Sequence, residues 1–252
     1  MKITGNTILL TGASSGIGRA LAIQLSQKGN KVIAVARREE RLKELSAAHP
    51  GIDHVRCDIT DASDRQKLFE YVTEKYPELN IIFNDAAMQS DYNLCEGTRD
   101  FDHIQTEIDS CFTAHVWINA MFIPLLKERI NPAIINVSSV LGFTPLTHIP
   151  IYCAAKSACH VYTMLLREQL KTVGIEVYEV APPKVESELN LAGRTKRNEA
   201  PNGLIPDEYA EFVIGELENG TPDIFYPPFG DMLAKTPRPE MEKSRIAPFK
   251  EQ

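Results

Sequence analysis

Ser139, Tyr152 and Lys156 are the residues of this chain best suited to moving a proton at a carbonyl or alcohol oxygen. Tyr152 and Lys156 bound the pentapeptide Tyr-Cys-Ala-Ala-Lys, and Ser139 stands thirteen positions before the tyrosine. Residues four apart on a helix share one face, so the Lys156 ammonium can lie beside the Tyr152 phenol. A nearby cation favours phenolate and lowers a tyrosine pKa from its usual value of about 10. That creates a general acid–base group near neutral pH. Ser139 ends the apolar run Ile134-Ile135-Asn136-Val137-Ser138-Ser139, where its hydroxyl can hold the substrate oxygen. A tyrosine and a lysine at this spacing more often mark an ordinary surface helix, so the rest of the chain must decide.

A second candidate site precedes them. Thr11-Gly12-Ala13-Ser14-Ser15-Gly16-Ile17-Gly18 follows the apolar run Thr7 to Leu10, and Ile17, Ala20, Leu21 and Leu25 then recur at helical spacing. A glycine-rich turn between a strand and a helix lets the backbone approach a phosphate, and the helix N-terminus offers unpaired N–H donors. Lys31 to Val35 reads as the next buried strand, completing a βαβ unit.

The elements that must position both groups alternate. Strands are expected near 7–11, 31–36, 53–58, 80–84, 132–138, 175–180 and 223–226, and helices near 16–28, 39–48, 62–75, 101–128, 152–173 and 207–218. Such alternation implies a single α/β domain over 1–252, a Rossmann-like doubly wound parallel sheet with helices on both faces. Ligands bind such sheets beyond the carboxyl ends of the strands, where Gly12, Asp58, Asn84, Ser139 and Pro182 gather. Residues 183–206 read as a flap over the substrate, and 228–252 as an extended arm or a frayed terminus.

In these pieces the chain resembles the short-chain dehydrogenase/reductase family. Thr11-Gly12-x-x-x-Gly16-Ile17-Gly18, Asp58, Ser139, Tyr152, Lys156 and the turn Pro182-Pro183 with Ser187 carry the resemblance over roughly residues 5 to 190. Ala181-Pro182-Pro183-x-Val185 and the start Met1 to Thr7 look most like the DltE-type oxidoreductases. The resemblance implies hydride transfer between a nicotinamide and a carbonyl or alcohol. Ser139 would hold the oxygen, Tyr152 would carry its proton, and Lys156 would bind the nicotinamide ribose. Cofactor contacts are implied for Gly12, Ser14, Ser15, Gly16, Ile17, Gly18, Asp58, Ile59, Asn84, Ala86, Tyr152, Lys156, Pro182, Val185 and Ser187, with Asp58 accepting from the adenine amine. It also implies a homodimer or homotetramer through the helices around 101–128 and 152–173.

Cofactor choice rests on Val35-Ala36-Arg37-Arg38. An acidic residue at the end of the second strand would bind the adenosine ribose diol and repel a 2′-phosphate. Ala36 removes that repulsion, and Arg37 offers a guanidinium fork to a phosphate. NADP is therefore expected rather than NAD, with Arg38 read as the solvated start of the next helix.

Two departures from the family weigh against turnover. Asn84-Asp85-Ala86-Ala87 stands where Asn-Asn-Ala-Gly is usual, adding a carboxyl and a methyl. Cys111 takes the place of an asparagine that helps hold a water in the proton relay, and a thiol is a weak donor and acceptor. His115 is a candidate substitute, and Cys153 is expected to pack. A nucleotide-binding protein with little or no turnover is thus the alternative. The stretch Gly142 to Leu146, with Ile149, Pro150, Leu189 and Leu191, suggests an apolar edge for a small-molecule carbonyl or alcohol.

Composition excludes other classes. The formal net charge of −7 and the lack of a basic run argue against nucleic acid. No apolar stretch approaches the ~20 residues that span a bilayer, so no membrane partner is expected. Five cysteines, without paired metal-type spacing, suit a reduced cytoplasmic chain without a metal site.

Overall fold

Residues 1–230, apart from 99 and 228, are described by the computed structural model. In chain order the elements are β1 (Thr7–Thr11), α1 (Gly16–Gln27), β2 (Lys31–Ala36), α2 (Glu39–Ala48), β3 (Ile52–Arg56), α3 (Ala62–Lys75) and β4 (Ile81–Asn84). There follow α4 (Phe101–Ile108), α5 (Ala114–Leu126), β5 (Ala133–Val137), α6 (Pro150–Leu170), β6 (Glu176–Ala181), α7 (Leu191–Lys196), α8 (Pro206–Glu218) and β7 (Asp223–Phe225). The strands form one seven-stranded sheet in the order β3-β2-β1-β4-β5-β6-β7. Every neighbouring pair is parallel, as the doubly wound reading requires.

Successive strand residues face opposite sides, and here both sides are covered. Ile8 and Leu10 of β1 join the layer containing Leu21 of α1 and Val213 of α8. Leu9, between them, faces Leu68 of α3, Phe122 of α5 and Leu166 of α6. The inner strands β1, β2, β4 and β5 therefore read as near-continuous apolar runs, whereas the edge strand β3 (Ile52-Asp53-His54-Val55-Arg56) does not. Burying each such side chain contributes roughly 1.5–3 kcal/mol.

Polar residues pin the centre of this sheet. The Asn84 Nδ2 donates to Asn136 Oδ1 across β4 and β5 at 2.9 Å and to Asn119 Oδ1 of α5 at 2.8 Å. Asn136 in turn donates to Thr163 Oγ1 of α6 at 3.1 Å. All four side chains are buried, so each must find its partners inside the protein.

Several expectations are corrected. The helix expected over 101–128 is interrupted by a π-helical turn at Asp109–Thr113. One extra residue is accommodated there, where the Cys111 thiol donates to the Met88 carbonyl. The helix expected from 152 begins at Pro150, because proline suits the first helical position, whose N–H needs no partner. A short helix, α7, for which no element was expected, lies inside the stretch read as a flap. Its propensity is weak, and it is held by contacts such as Arg194 to the Ser187 carbonyl at 3.0 Å. Apart from 229–230, the expected C-terminal arm lies outside the described residues.

Replacing Asn136 with Ala removes one acceptor from each of the buried Asn84 and Asn119 amides. A loss of about 1–3 kcal/mol is expected, measured as a lower urea midpoint with an unchanged slope.

Candidate active site

β1 and β4 are neighbours, but the chain leaves them toward opposite faces of the sheet, so their exit loops part and open a crevice. The glycine turn after β1 forms one wall. Gly12 and Gly16 adopt φ of +81° and +56°, in the left-handed region where a side chain is strained. A Cβ at Gly12 would stand 2.8 Å from the Ala86 nitrogen, and one at Gly18 would stand 2.6 Å from the Gly12 carbonyl. The turn thus lies directly on the backbone that follows β4. Thr11 ties the two loops, its hydroxyl accepting from the Asp85 and Ala86 N–H groups at 3.1 and 3.2 Å.

Beneath this turn sits the Asp85 carboxyl. A Cβ at Gly18 would meet its Oδ2 at 2.5 Å, and the carboxyl accepts from the Gly18 N–H. The residue as a whole is half-buried, but its carboxyl end points inward. Burial pushes its pKa up to about 7, against the opposing pull of Lys156 and the Gly18 hydrogen bond.

The opposite wall carries the proton-transfer candidates. Ser139 follows β5, while Tyr152 and Lys156 share a face of α6, and all three are buried. They open on one cleft of ≈ 520 Å³ with Gly12, Ser14, Ser15, Gly16 and Ile17. That is an ordinary size for a small-molecule site. A second cavity of ≈ 490 Å³, lined by Met1, Lys127, Pro132 and Glu176, lies at the other end of the strands and holds none of these residues.

The electrostatics correct one expectation. Tyr152 is raised above the ordinary tyrosine value, not lowered. Burial is the main cause, Cys111 and Asp85 add to it, and the facing Ser139 hydroxyl opposes it. The Lys156 Nζ lies 5.8 Å from the Tyr152 ring centre and donates to the Val137 carbonyl at 2.7 Å. Desolvation of the phenolate therefore sets the direction of the shift.

Arg38, read from sequence as the solvated start of the next helix, does stand exposed at the N-terminus of α2, and it also reaches back to the glycine turn. Its Nε and Nη2 donate to Ser14 Oγ at 3.0 and 2.8 Å, and its Nη2 reaches Ser15 Oγ at 2.6 Å. Arg37 is the more exposed and lies 3.9 Å from Asp58. Asp58 accepts from the Thr60 backbone and hydroxyl at 3.0 and 2.7 Å, leaving Asp61 to cap α3. No spacing rule separates two consecutive arginines; the bend of the chain into α2 does.

Comparison with known proteins agrees with this geometry. The profile of the short chain dehydrogenases matches residues 6–198. The chain is 39% identical to the oxidoreductase DltE of Bacillus subtilis, covering 89% of each chain. The chain belongs to the short-chain dehydrogenase family. An oxidoreductase of Staphylococcus epidermidis is 30% identical over 80% of this chain and 88% of its own. Among solved structures, a short-chain dehydrogenase from Sphingobium yanoikuyae in complex with NADPH superposes with a TM-score of 0.81 at 25% identity, covering 98% of this chain and 99% of its own. A short-chain dehydrogenase/reductase from Burkholderia phymatum in complex with NAD gives 0.83 at 20% identity, covering 100% and 99%.

Within this short-chain dehydrogenase fold, Arg37, Asp58, Ile59, Ala86, Pro182, Val185 and Ser187 line the cleft, whereas Gly18 and Asn84 do not. Gly18 sits behind the turn, packed on Gly12 and Asp85, and Asn84 is committed to the sheet. Ala87 stands outside the left-handed region, so its methyl brings no backbone strain. His115 cannot replace a relay asparagine in this arrangement. It is fully buried, donates from Nε2 to the Ala86 carbonyl at 3.0 Å, and burial lowers its pKa to about 3. Cys153 packs in the cluster around Tyr152, as expected.

The substrate end is more polar than its sequence suggested. Leu141, Leu146, Ile149 and Leu189 line it, joined by Gln89, His148, Lys184 and Arg197. Phe143 turns away to pack against His160, with ring centres 4.4 Å apart, and edge-on against Phe225 of β7. Hydrophobicity alone could not separate pocket residues from packing residues here.

Because the folded-state pKa of Asp85 lies above its unfolded value, the folded protein holds the extra proton between pH 4 and 7. Its stability should fall as pH rises through that window. Asp85→Asn should be more stable than the parent at pH 8 and gain little at pH 4.5, as read by thermal unfolding at both pH values.

Proposed function

We propose that the chain is an NADP(H)-dependent oxidoreductase acting on a carbonyl or alcohol. The observation that carries this reading is the buried Ser139–Tyr152–Lys156 group opening on the same cleft as the glycine turn. The cleft suits a dinucleotide: Gly12 and Gly16 leave backbone free for a pyrophosphate, and Arg38 with Ser14 and Ser15 offers donors to a 2′-phosphate. When bound, the nicotinamide supplies or accepts the hydride.

The remaining tasks fall to the chain. Ser139 holds the substrate oxygen, and Tyr152 gives or takes its proton. Burial keeps the phenol protonated, the form needed to donate during reduction. Lys156, anchored on the Val137 carbonyl, lies along the same face and orients the ribose side of the cleft. Residues 183–206 cover the substrate end, where Lys184 and Arg197 line the cleft. A homodimer or homotetramer belongs to the same reading, supported by Val161 and Leu165 exposed on α6. The five unbridged cysteines support a cytoplasmic setting, and no helix among the described residues is long and apolar enough to cross a membrane.

A second reading, nucleotide binding without turnover, draws on the raised Tyr152 and on Cys111, whose thiol is spent on Met88 rather than on a relay water. Tyr152→Phe separates the two. Carbonyl-dependent NADPH oxidation should fall about 10²–10⁴-fold with NADPH binding retained; unchanged turnover would sink the assigned chemistry. In fluorescence titrations, Arg38→Ala should weaken NADPH by about tenfold or more, the loss expected for a charge-assisted contact. Arg37→Ala should weaken it less, and NADH should respond to neither.

A further inference from the structure

We infer that Glu188 is a specificity-determining residue, an internal carboxylate seated where the cofactor's 2′-phosphate would bind. This rests on the NADP reading above and deepens it. The Glu188 carboxylate takes Arg38 Nη1 and both Arg41 Nη1 and Nη2, the latter at 2.7 and 2.9 Å. The remaining nitrogens of Arg38 are on Ser14 and Ser15. Two guanidinium groups and two hydroxyls thus make one anion site beside the glycine turn, and the chain fills it with its own anion. These contacts hold Glu188 down to about 2, well below the usual carboxylate range.

The seat is exchangeable. The side chains of Arg38 and Glu188 are 43% and 46% exposed, and exposed ion pairs are screened and individually weak. A phosphate monoester carries more charge and three acceptor oxygens, so it can take the arginines from a single carboxylate. A ribose 2′-hydroxyl has no such charge and leaves the contact in place. Glu188 therefore opposes NADPH and is indifferent to NADH.

Its position links this choice to the substrate end. Ser187, the preceding residue, packs on the glycine turn, with its Cβ 3.0 Å from where a Gly16 Cβ would stand. Leu189, the next, lines the cleft and packs with Tyr152 and Ile149. Displacing Glu188 frees the tether that holds this segment against α2.

The test is fluorescence titration of NADPH and NADH into the full chain, its Glu188→Ala and Glu188→Gln variants, and each variant combined with Arg38→Ala. Both single variants should bind NADPH about three- to tenfold more tightly, the range for losing a few exposed pairs, with NADH unchanged. The gain should shrink in 0.5 M salt and in the Arg38→Ala background. If the parent prefers NADPH through Arg38 but removing Glu188 leaves NADPH affinity unchanged or weaker, the inference is overturned and the NADP reading stands. If the parent binds NADPH no better than NADH and Arg38→Ala has no effect, both fall.

Discussion

The contact on which the site depends is the close approach of the Gly12–Gly18 turn to the backbone after β4. Sub-3 Å clearances to a hypothetical Cβ at Gly12 and Gly18 leave no room for side chains. Thr11 completes the junction by accepting two N–H groups from the far side. Both walls of the cleft are referenced to this seam: the glycine-turn wall through α1, and the Ser139–Tyr152–Lys156 wall through β4, β5 and α6. The asparagine network one layer below keeps β4 and β5 in register and joins them to α5 and α6.

Burial sets the chemistry of this seam more than pairwise charge does. Asp85, Tyr152 and Cys111 are all displaced toward their protonated forms, and desolvation is the largest cause for each. Lys156 pulls Asp85 and Cys111 the other way without reversing either. Its ammonium donates to the Val137 carbonyl. The interior of the site thus favours the protonated forms of its acids, while the charges that meet solvent gather at its rim in Arg38, Arg41, Glu188 and Arg197. The rim holds the segment after β6 against α2 and the loop after β4, the latter through Arg197 and Asp91.

Much of this was legible in the sequence, and for a local reason. Covered parallel strands must be apolar on both faces, so the inner strands stood out as short runs, and helix periodicity located most of what lies between them. Glycine is required wherever backbone meets backbone, which exposed the turn after β1. Tyr152 and Lys156 share a face by helical geometry alone. What the sequence determined by itself was therefore the layered fold, the glycine turn and the Ser139–Tyr152–Lys156 set.

Tertiary structure decided the rest, because those outcomes depend on neighbours far along the chain. Only packing could show that burial raises the Tyr152 phenol. That Arg38 reaches back to Ser14 and Ser15 while Arg37 stands nearer Asp58 is a matter of side-chain direction that no propensity encodes. The π-turn at Asp109–Thr113 and α7 arise from contacts with Met88 and Ser187 rather than from local preference. Glu188 sits nearly 150 positions from the arginines it binds. A residue's own spacing and type state what it can do; its solvent exposure and distant partners, fixed only on folding, select which of those it does.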